Sequence, residues 1–76
     1  MKNKTEKILW HLLEHGQITS WEAIKEYGET RLSAIIWVLR HKRGLNIRNE
    51  RIEFIDRFGD KGHFVKYILE ENNDKN

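Results

Sequence analysis

The sequence predicts a mainly α-helical fold with a small β-hairpin, in which three helices precede two or three strands. Three observations indicate this fold. Apolar residues recur at helical spacing before Gly44, and after Gly44 they alternate with polar residues as in a half-buried strand. The glycine-rich segment 58–62 interrupts the alternating region and is typical of a hairpin turn. With 76 residues and no cysteine, all elements must share one core without a disulfide.

The first helix is predicted over residues 5–15. Its apolar side chains fall on one side of the helix, namely Ile8, Leu9, Leu12 and Leu13. Gly16 can end the helix, because glycine adopts the left-handed conformation at little cost. The short extended link that follows contains Ile18, which we expect to pair with a later strand.

Two further helices are predicted, with a tight turn between them. Thr19 and Glu22 have the spacing of a capping box, so the second helix begins near residue 20 and ends before Gly28. Thr30 is the expected N-cap of the third helix, which is predicted over residues 31–43. One stripe of the third helix should face the core, and it consists of Leu32, Ile35, Ile36 and Leu39.

A hairpin is predicted after Gly44. Its first strand should bury alternate residues, which are Leu45, Ile47, Ile52 and Phe54, and its second strand is expected over residues 64–69. The order of helix, short strand, helix, helix and hairpin is that of a winged helix-turn-helix domain, in which the two- or three-stranded hairpin is the wing. We expect a single domain over residues 1–76, with a core within residues 5–69 and a disordered tail at residues 70–76.

Positive charge is concentrated in the third helix and the hairpin. The net charge is only +2, but residues 31–66 hold nine Lys or Arg against four Asp or Glu, a balance of +5. Such clustering is expected of a surface that faces phosphates. Lys61, predicted at the tip of the turn, can approach a minor groove or the flanking backbone; alternatively, it only keeps the hairpin edge from pairing with other strands.

Most of the chain resembles the small helix-turn-helix domains that are common in phages and prophages. In those proteins a segment like G-x-I-T-S-x-E-A precedes a glycine, a helix start like R-L-S-A, a leucine-arginine pair and a further glycine. The matching residues are Gly16, Ile18, Thr19, Ser20, Glu22, Ala23, Gly28, Arg31, Leu32, Ser33, Ala34, Leu39, Arg40 and Gly44. The resemblance covers about residues 5–69 and implies a DNA-binding domain of phage origin. The chain departs from the pattern at Ile35, Trp37 and Val38, where the family often has polar residues.

The third helix is the expected recognition element for double-stranded DNA. If it lies in a major groove, its first turn meets base edges, so we expect Arg31 and Ser33 to contact bases and Ala34 to meet a thymine methyl group. The cations of its last turn should lie near phosphates, or else only complement the helix dipole. The predicted DNA-contacting residues are Thr30, Arg31, Ser33, Ala34, Trp37, Arg40, Lys42, Arg43 and Lys61.

The three tryptophans are predicted to have different roles. Trp21 is expected to cap the core, whereas Trp10 and Trp37 lie off the apolar sides of their helices and should be exposed. Because exposed tryptophans are enriched at binding hot spots, a homodimer or a host protein is the alternative partner to DNA. That partner would be bound through Trp37, Ile35, Val38 and Trp10.

Catalysis, metal binding and a membrane location have little support in the sequence. His11 and His15 are spaced i, i+4, which can hold zinc, but no motif supplies a third ligand, so two surface histidines are expected. Ser33 has no plausible base beside it, and we expect no catalytic residue and no cofactor. With no charged-then-apolar leader and no apolar run approaching ~18 residues in the sequence, we expect neither a signal peptide nor a transmembrane helix. We therefore expect a cytoplasmic protein, in the host cell if it is phage encoded.

Overall fold

The computed structural model describes residues 3–70, which form three helices and one antiparallel three-stranded sheet. The helices are α1 (Lys4–His15), α2 (Ser20–Tyr27) and α3 (Leu32–His41). The strands are β1 (Gln17–Thr19), β2 (Ile47–Ile55) and β3 (Lys61–Leu69). β3 lies in the middle of the sheet, between β1 and β2. This is the fold class that the sequence predicts, and the wing hairpin shares its sheet with β1.

The ends of α1 and α2 lie where short-range signals predict them. At the start of α2 the Glu22 backbone N–H donates to the Thr19 hydroxyl (3.1 Å), and the Thr19 backbone N–H donates to the Glu22 carboxylate (3.0 Å). These two hydrogen bonds form the predicted capping box. Gly16 and Gly28 end α1 and α2 in the left-handed conformation, with φ of 81° and 67°. Each signal depends on residues no more than four apart, which is why the sequence alone reveals it.

The start of α3 differs from the prediction. Arg31 occupies the N-cap position instead of Thr30, and its side chain makes no capping hydrogen bond. The turn after Gly28 leaves Thr30 outside the helix, and the carboxylate of the buried Glu29 accepts a hydrogen bond of 2.7 Å from the Arg31 backbone N–H. A carboxylate at this position also complements the positive end of the helix dipole. α3 ends at His41, two residues short of the predicted end at residue 43.

One hydrophobic core lies between the helices and the base of the sheet. Ile18 pairs with Tyr67 and joins β1 to β3, which confirms its predicted strand pairing. Leu13, predicted on the apolar side of α1, is exposed instead, because α1 turns His11 toward the interior. The predicted stripe of α3 is confirmed, and the buried hydrophobic residues are Ile8, Leu12, Ile18, Ala23, Leu32, Ile35, Ile36, Leu39, Ile47 and Tyr67.

The hairpin of β2 and β3 extends beyond the core as the wing. The Asp56 carboxylate accepts hydrogen bonds from the backbone N–H groups of Phe58 (2.8 Å) and Asp60 (2.9 Å), which closes the turn. Lys61 is therefore the first residue of β3, paired with Ile55, and does not lie at the tip as predicted. Phe58 occupies the tip and is 84% exposed.

The sequence predicts that a disordered tail starts at residue 70, but Glu70 is bonded to the sheet. The Glu70 backbone N–H donates to the Asn46 carbonyl (2.8 Å), and its carboxylate accepts from Arg48 Nε (2.6 Å). Both bonds attach Glu70 to the start of β2. The rest of the predicted tail, residues 71–76, lies outside the described residues.

Candidate nucleic-acid interface

The outer side of α3 presents part of the predicted DNA-contacting set to solvent. Thr30 in the turn and Arg31, Ser33 and Ala34 at the start of the helix are all exposed. The first turn of a helix also leaves backbone N–H groups without intrahelical acceptors, which can donate to a phosphate. The start of α3 therefore combines a guanidinium, a hydroxyl and a small methyl side chain on one accessible turn.

Trp37 lies one turn further along α3 and is 52% exposed, as predicted. Its ring contacts that of His41 in a tilted arrangement, with ring centroids 4.5 Å apart and planes 33° apart. The sequence predicts that Ile35 joins Trp37 in contacting a protein partner, and for Ile35 this prediction is wrong. Ile35 is buried in the core, because it belongs to the same helical stripe as Leu32 and Leu39. Val38 is half-buried, so the outer side of α3 is less apolar than the sequence predicts.

Arg40 is bound by the base of the wing. Its Nε and Nη2 donate to the Ile47 carbonyl at 3.1 and 2.7 Å, and Nη2 also donates to the Asn49 side-chain oxygen. These bonds tie the last turn of α3 to the first residues of β2. The predicted contact between Arg40 and a phosphate would compete with these bonds, whereas Lys42 and Arg43 are exposed and make no ion pair within residues 3–70.

The wing contains both paired and unpaired cations. Arg48 is paired with Glu70 (2.6 Å), whose hydrogen bond raises the pKa of the Arg48 guanidinium, and Arg51 is paired with Glu53 (3.4 Å). A cation that forms no ion pair can neutralise a phosphate without breaking a contact to a protein carboxylate. Some cations of segment 31–66 have no ion pair and no side-chain hydrogen bond within residues 3–70. They are Arg31, Lys42, Arg43, Arg57, Lys61 and Lys66.

For two aromatic residues of the first two helices, burial is the opposite of what the sequence predicts. Trp21, expected to cap the core, is 66% exposed, because α2 buries the small residue Ala23 against the core and leaves Trp21 on its outer side. His11, expected at the surface, is buried, and its Nδ1 shares a hydrogen bond of 2.7 Å with the Tyr27 hydroxyl. The i, i+3 and i+4 spacing of Ile8, His11 and Leu12 is the signal that could have predicted its burial. Its hydrogen-bond partner lies sixteen residues away, and no short-range pattern predicts that contact.

The surroundings of His11 favour its neutral form. Burial lowers its pKa, and the charge of His15 lowers it further, while Glu22 and Glu26 act in the opposite direction. Burial also raises the pKa of the Tyr27 hydroxyl, with smaller contributions from Glu26 and Glu22. The rings of His11 and His15 contact each other, with centroids 4.6 Å apart. Within residues 3–70 no group of three or more His, Asp or Glu side chains is placed to hold a metal ion.

None of the helices in the described residues is long and apolar enough to cross a membrane.

The fold is that of the winged-helix class, whose members typically bind DNA, and exposed cations flank both ends of α3. The chain belongs to the winged helix-turn-helix domain family, whose model matches residues 3–72. This family is typically non-enzymatic. No curated protein and no solved structure matches the chain significantly.

Proposed function

We propose that the protein is a phage or prophage DNA-binding factor, either sequence-specific or accessory, that acts in the host-cell cytoplasm. The observation that carries this proposal is the exposed first turn of α3, where the Arg31 guanidinium makes no ion pair within residues 3–70. A factor of this kind would regulate transcription or assist replication or excision. Membership of the winged helix-turn-helix family supports DNA as the partner.

In the proposed complex α3 lies in the major groove. Arg31 donates both guanidinium branches to a guanine, Ser33 contacts a neighbouring base edge, and Ala34 meets a thymine methyl group. Unpaired cations at the end of α3 and on the wing neutralise phosphates, which sets the orientation but carries no sequence information. A single module of this size buries about 600–1,000 Å² on DNA. A repressor of this design would therefore need a dimer or cooperative binding.

A salt series with a labelled duplex tests the proposal. The logarithm of affinity should fall linearly with the logarithm of salt concentration, because each neutralised phosphate releases counterions. Arg31→Ala should weaken binding to a selected site by about 1–3 kcal/mol. Lys7→Ala removes an exposed cation from α1 and serves as the matched control. Absence of binding at about 50 mM salt, or an Arg31→Ala variant that binds as tightly as the parent, would contradict the proposal.

A second function is supported by the exposure of Trp37. Large exposed tryptophans are enriched at the centres of protein interfaces, so the outer side of α3 can equally bind and inhibit a host protein. Trp37→Ala should then abolish binding to that protein, while Arg31→Ala leaves it unchanged. The opposite pattern, with duplex binding lost in Arg31→Ala, assigns the surface to DNA.

A further inference from the structure

A cleft of about 730 Å³ lies between α1 and α2, away from the proposed DNA-contacting residues. None of the residues that line it belongs to α3 or to the wing. Its walls combine aromatic rings with carboxylates, chiefly those of Trp10, Trp21, Tyr27, His11, Glu22 and Glu26. Neither the core nor the proposed DNA interface explains this combination.

Two indole rings of the cleft are exposed to solvent. Trp21 is 66% exposed and Trp10 is 45% exposed, although both are large and apolar. Trp10 also packs edge-on against His15, with ring centroids 6.1 Å apart and planes 84° apart. The electron-rich face of an indole attracts cations, and tryptophan is the best aromatic partner for them. The exposed rings therefore suit a cationic ligand.

The base of the cleft is buried and held in one arrangement. His11 shares its 2.7 Å hydrogen bond with the Tyr27 hydroxyl, and the two rings meet edge-on with centroids 5.5 Å apart. Its other ring nitrogen, Nε2, lies 4.0 Å from the Glu22 carboxylate. With the proton on Nε2, Nδ1 accepts from the Tyr27 hydroxyl, and His11 adds no positive charge to the base of the cleft.

The charges around the cleft favour a cation over a phosphate. Glu22 and Glu26 outnumber Lys25, the one Lys or Arg that lines the cleft. Glu26 has no hydrogen bond or ion pair to another side chain within residues 3–70, so its carboxylate is available. Burial raises the pKa of the Tyr27 hydroxyl, and the charges of Glu26 and Glu22 raise it further. A DNA backbone would be repelled here.

We propose that this cleft binds an arginine side chain of a protein partner. A guanidinium is flat and can stack on an indole while it donates to a carboxylate, whereas the ammonium of lysine is a compact, strongly hydrated charge. Trp10 and Trp21 supply the stacking surfaces, and Glu26 supplies the carboxylate. This site does not depend on the proposed DNA-binding function and leaves α3 free to bind DNA at the same time.

Titration with N-acetyl-arginine N-methylamide, followed by NMR of the indole N–H signals, tests this assignment. The signals of Trp10 and Trp21 should shift and saturate, whereas Trp37, on α3, serves as an internal control that stays unchanged. N-acetyl-citrulline N-methylamide has the same shape without the charge, and it should bind about tenfold more weakly. The lysine analogue should also bind more weakly.

Variants of the wall residues complete the test. Glu26→Gln and Trp21→Ala should each weaken binding of the arginine probe about threefold. Both residues are exposed, so the variants should keep the dispersed NMR spectrum of the folded protein. Glu53→Gln, which removes an exposed carboxylate from β2, is the matched control and should not change binding.

Three results would overturn the proposal. The first is equal binding of the arginine and citrulline probes, which would show that charge is not recognised. The second is unchanged arginine binding in both wall variants. The third is concentration-dependent self-association that Glu26→Gln abolishes, because the arginine would then come from a second copy of this chain and not from a separate partner.

Discussion

At the scale of single residues, His11 links the stability of the core to pH. Burial and the charge of His15 lower its pKa below the ordinary 6.5, and the opposing carboxylates of Glu22 and Glu26 do not restore it. The unfolded chain therefore binds more protons than the folded one between the two pKa values. The contribution of His11 to stability is complete above pH 6.5 and is lost as the pH falls through its folded pKa.

We expect the free energy of unfolding, measured by urea denaturation, to fall as the pH is lowered below about 6.5. His11→Phe, which fills a similar volume without a titrating group, should flatten this dependence even if it changes the stability itself. His41→Gln removes an exposed histidine whose ring contacts that of Trp37, and it should leave the dependence unchanged. An equally steep dependence in His11→Phe would assign the effect to other groups.

Arg40 gives a second prediction at the residue scale. Its guanidinium donates to the Ile47 carbonyl at 2.7 Å and also to Asn49, so Arg40→Ala removes the side-chain hydrogen bonds that join the end of α3 to β2. Because hydrogen bonds from a charged group contribute about 1.5–3 kcal/mol, this variant should lower the free energy of unfolding by a similar amount. Arg43→Ala, an exposed arginine on the segment after α3, should change it by less than about 0.5 kcal/mol.

At the scale of elements, the wing depends on contact between its two strands near the turn. Phe54 lies over Gly62 and 6.1 Å from the ring of Phe64, and a Cβ added at Gly62 would lie 2.5 Å from Phe54 Cζ. The Phe54 ring closes off the space that a side chain at Gly62 would need. This explains a glycine inside a strand, where its flexibility otherwise weakens the structure.

Gly62→Ala should therefore lower the free energy of unfolding by about 1 kcal/mol, because the Phe54 ring must leave its place beside Phe64. A double-mutant cycle provides the check. In a Phe54→Ala background the same glycine change should cost much less, since the clashing ring is gone. An equal cost in both backgrounds would show that the backbone, and not the ring, requires glycine.

At the scale of the whole molecule, the unpaired cations of α3 and the wing should act together on one duplex. Arg57→Ala and Lys61→Ala remove wing cations without breaking an ion pair in the described residues. Each should weaken binding to all duplexes by a similar factor and reduce the slope of the salt dependence by about one. Arg51→Ala, which removes a cation already paired with Glu53, should reduce the slope less. If Arg57→Ala and Lys61→Ala both leave the slope unchanged, the wing does not touch DNA.

The parts of the fold that were predicted correctly depend on neighbours in sequence. The Thr19 and Glu22 capping box, the stop at Gly28 and the stripe of α3 all involve residues within one or two turns of each other. Thr30 shows the limit of such signals, because Arg31 takes the N-cap position expected of it. The buried Glu29 accepts a hydrogen bond from the Arg31 backbone N–H. The DNA contacts of the predicted set stay a prediction; all of its residues are exposed except Arg40, which is half-buried.

By itself, the sequence determined the three helices, the hairpin, the positive charge of the second half and the exposure of Trp10 and Trp37, because periodicity, caps and composition are local properties. Only the tertiary structure decided that Trp21 is exposed and that His11 bonds to the Tyr27 hydroxyl. It also decided that Arg40 is bound to Ile47 and that α1 and α2 enclose an aromatic cleft. These features depend on how each helix is rotated against distant partners, and no spacing along the chain encodes that rotation.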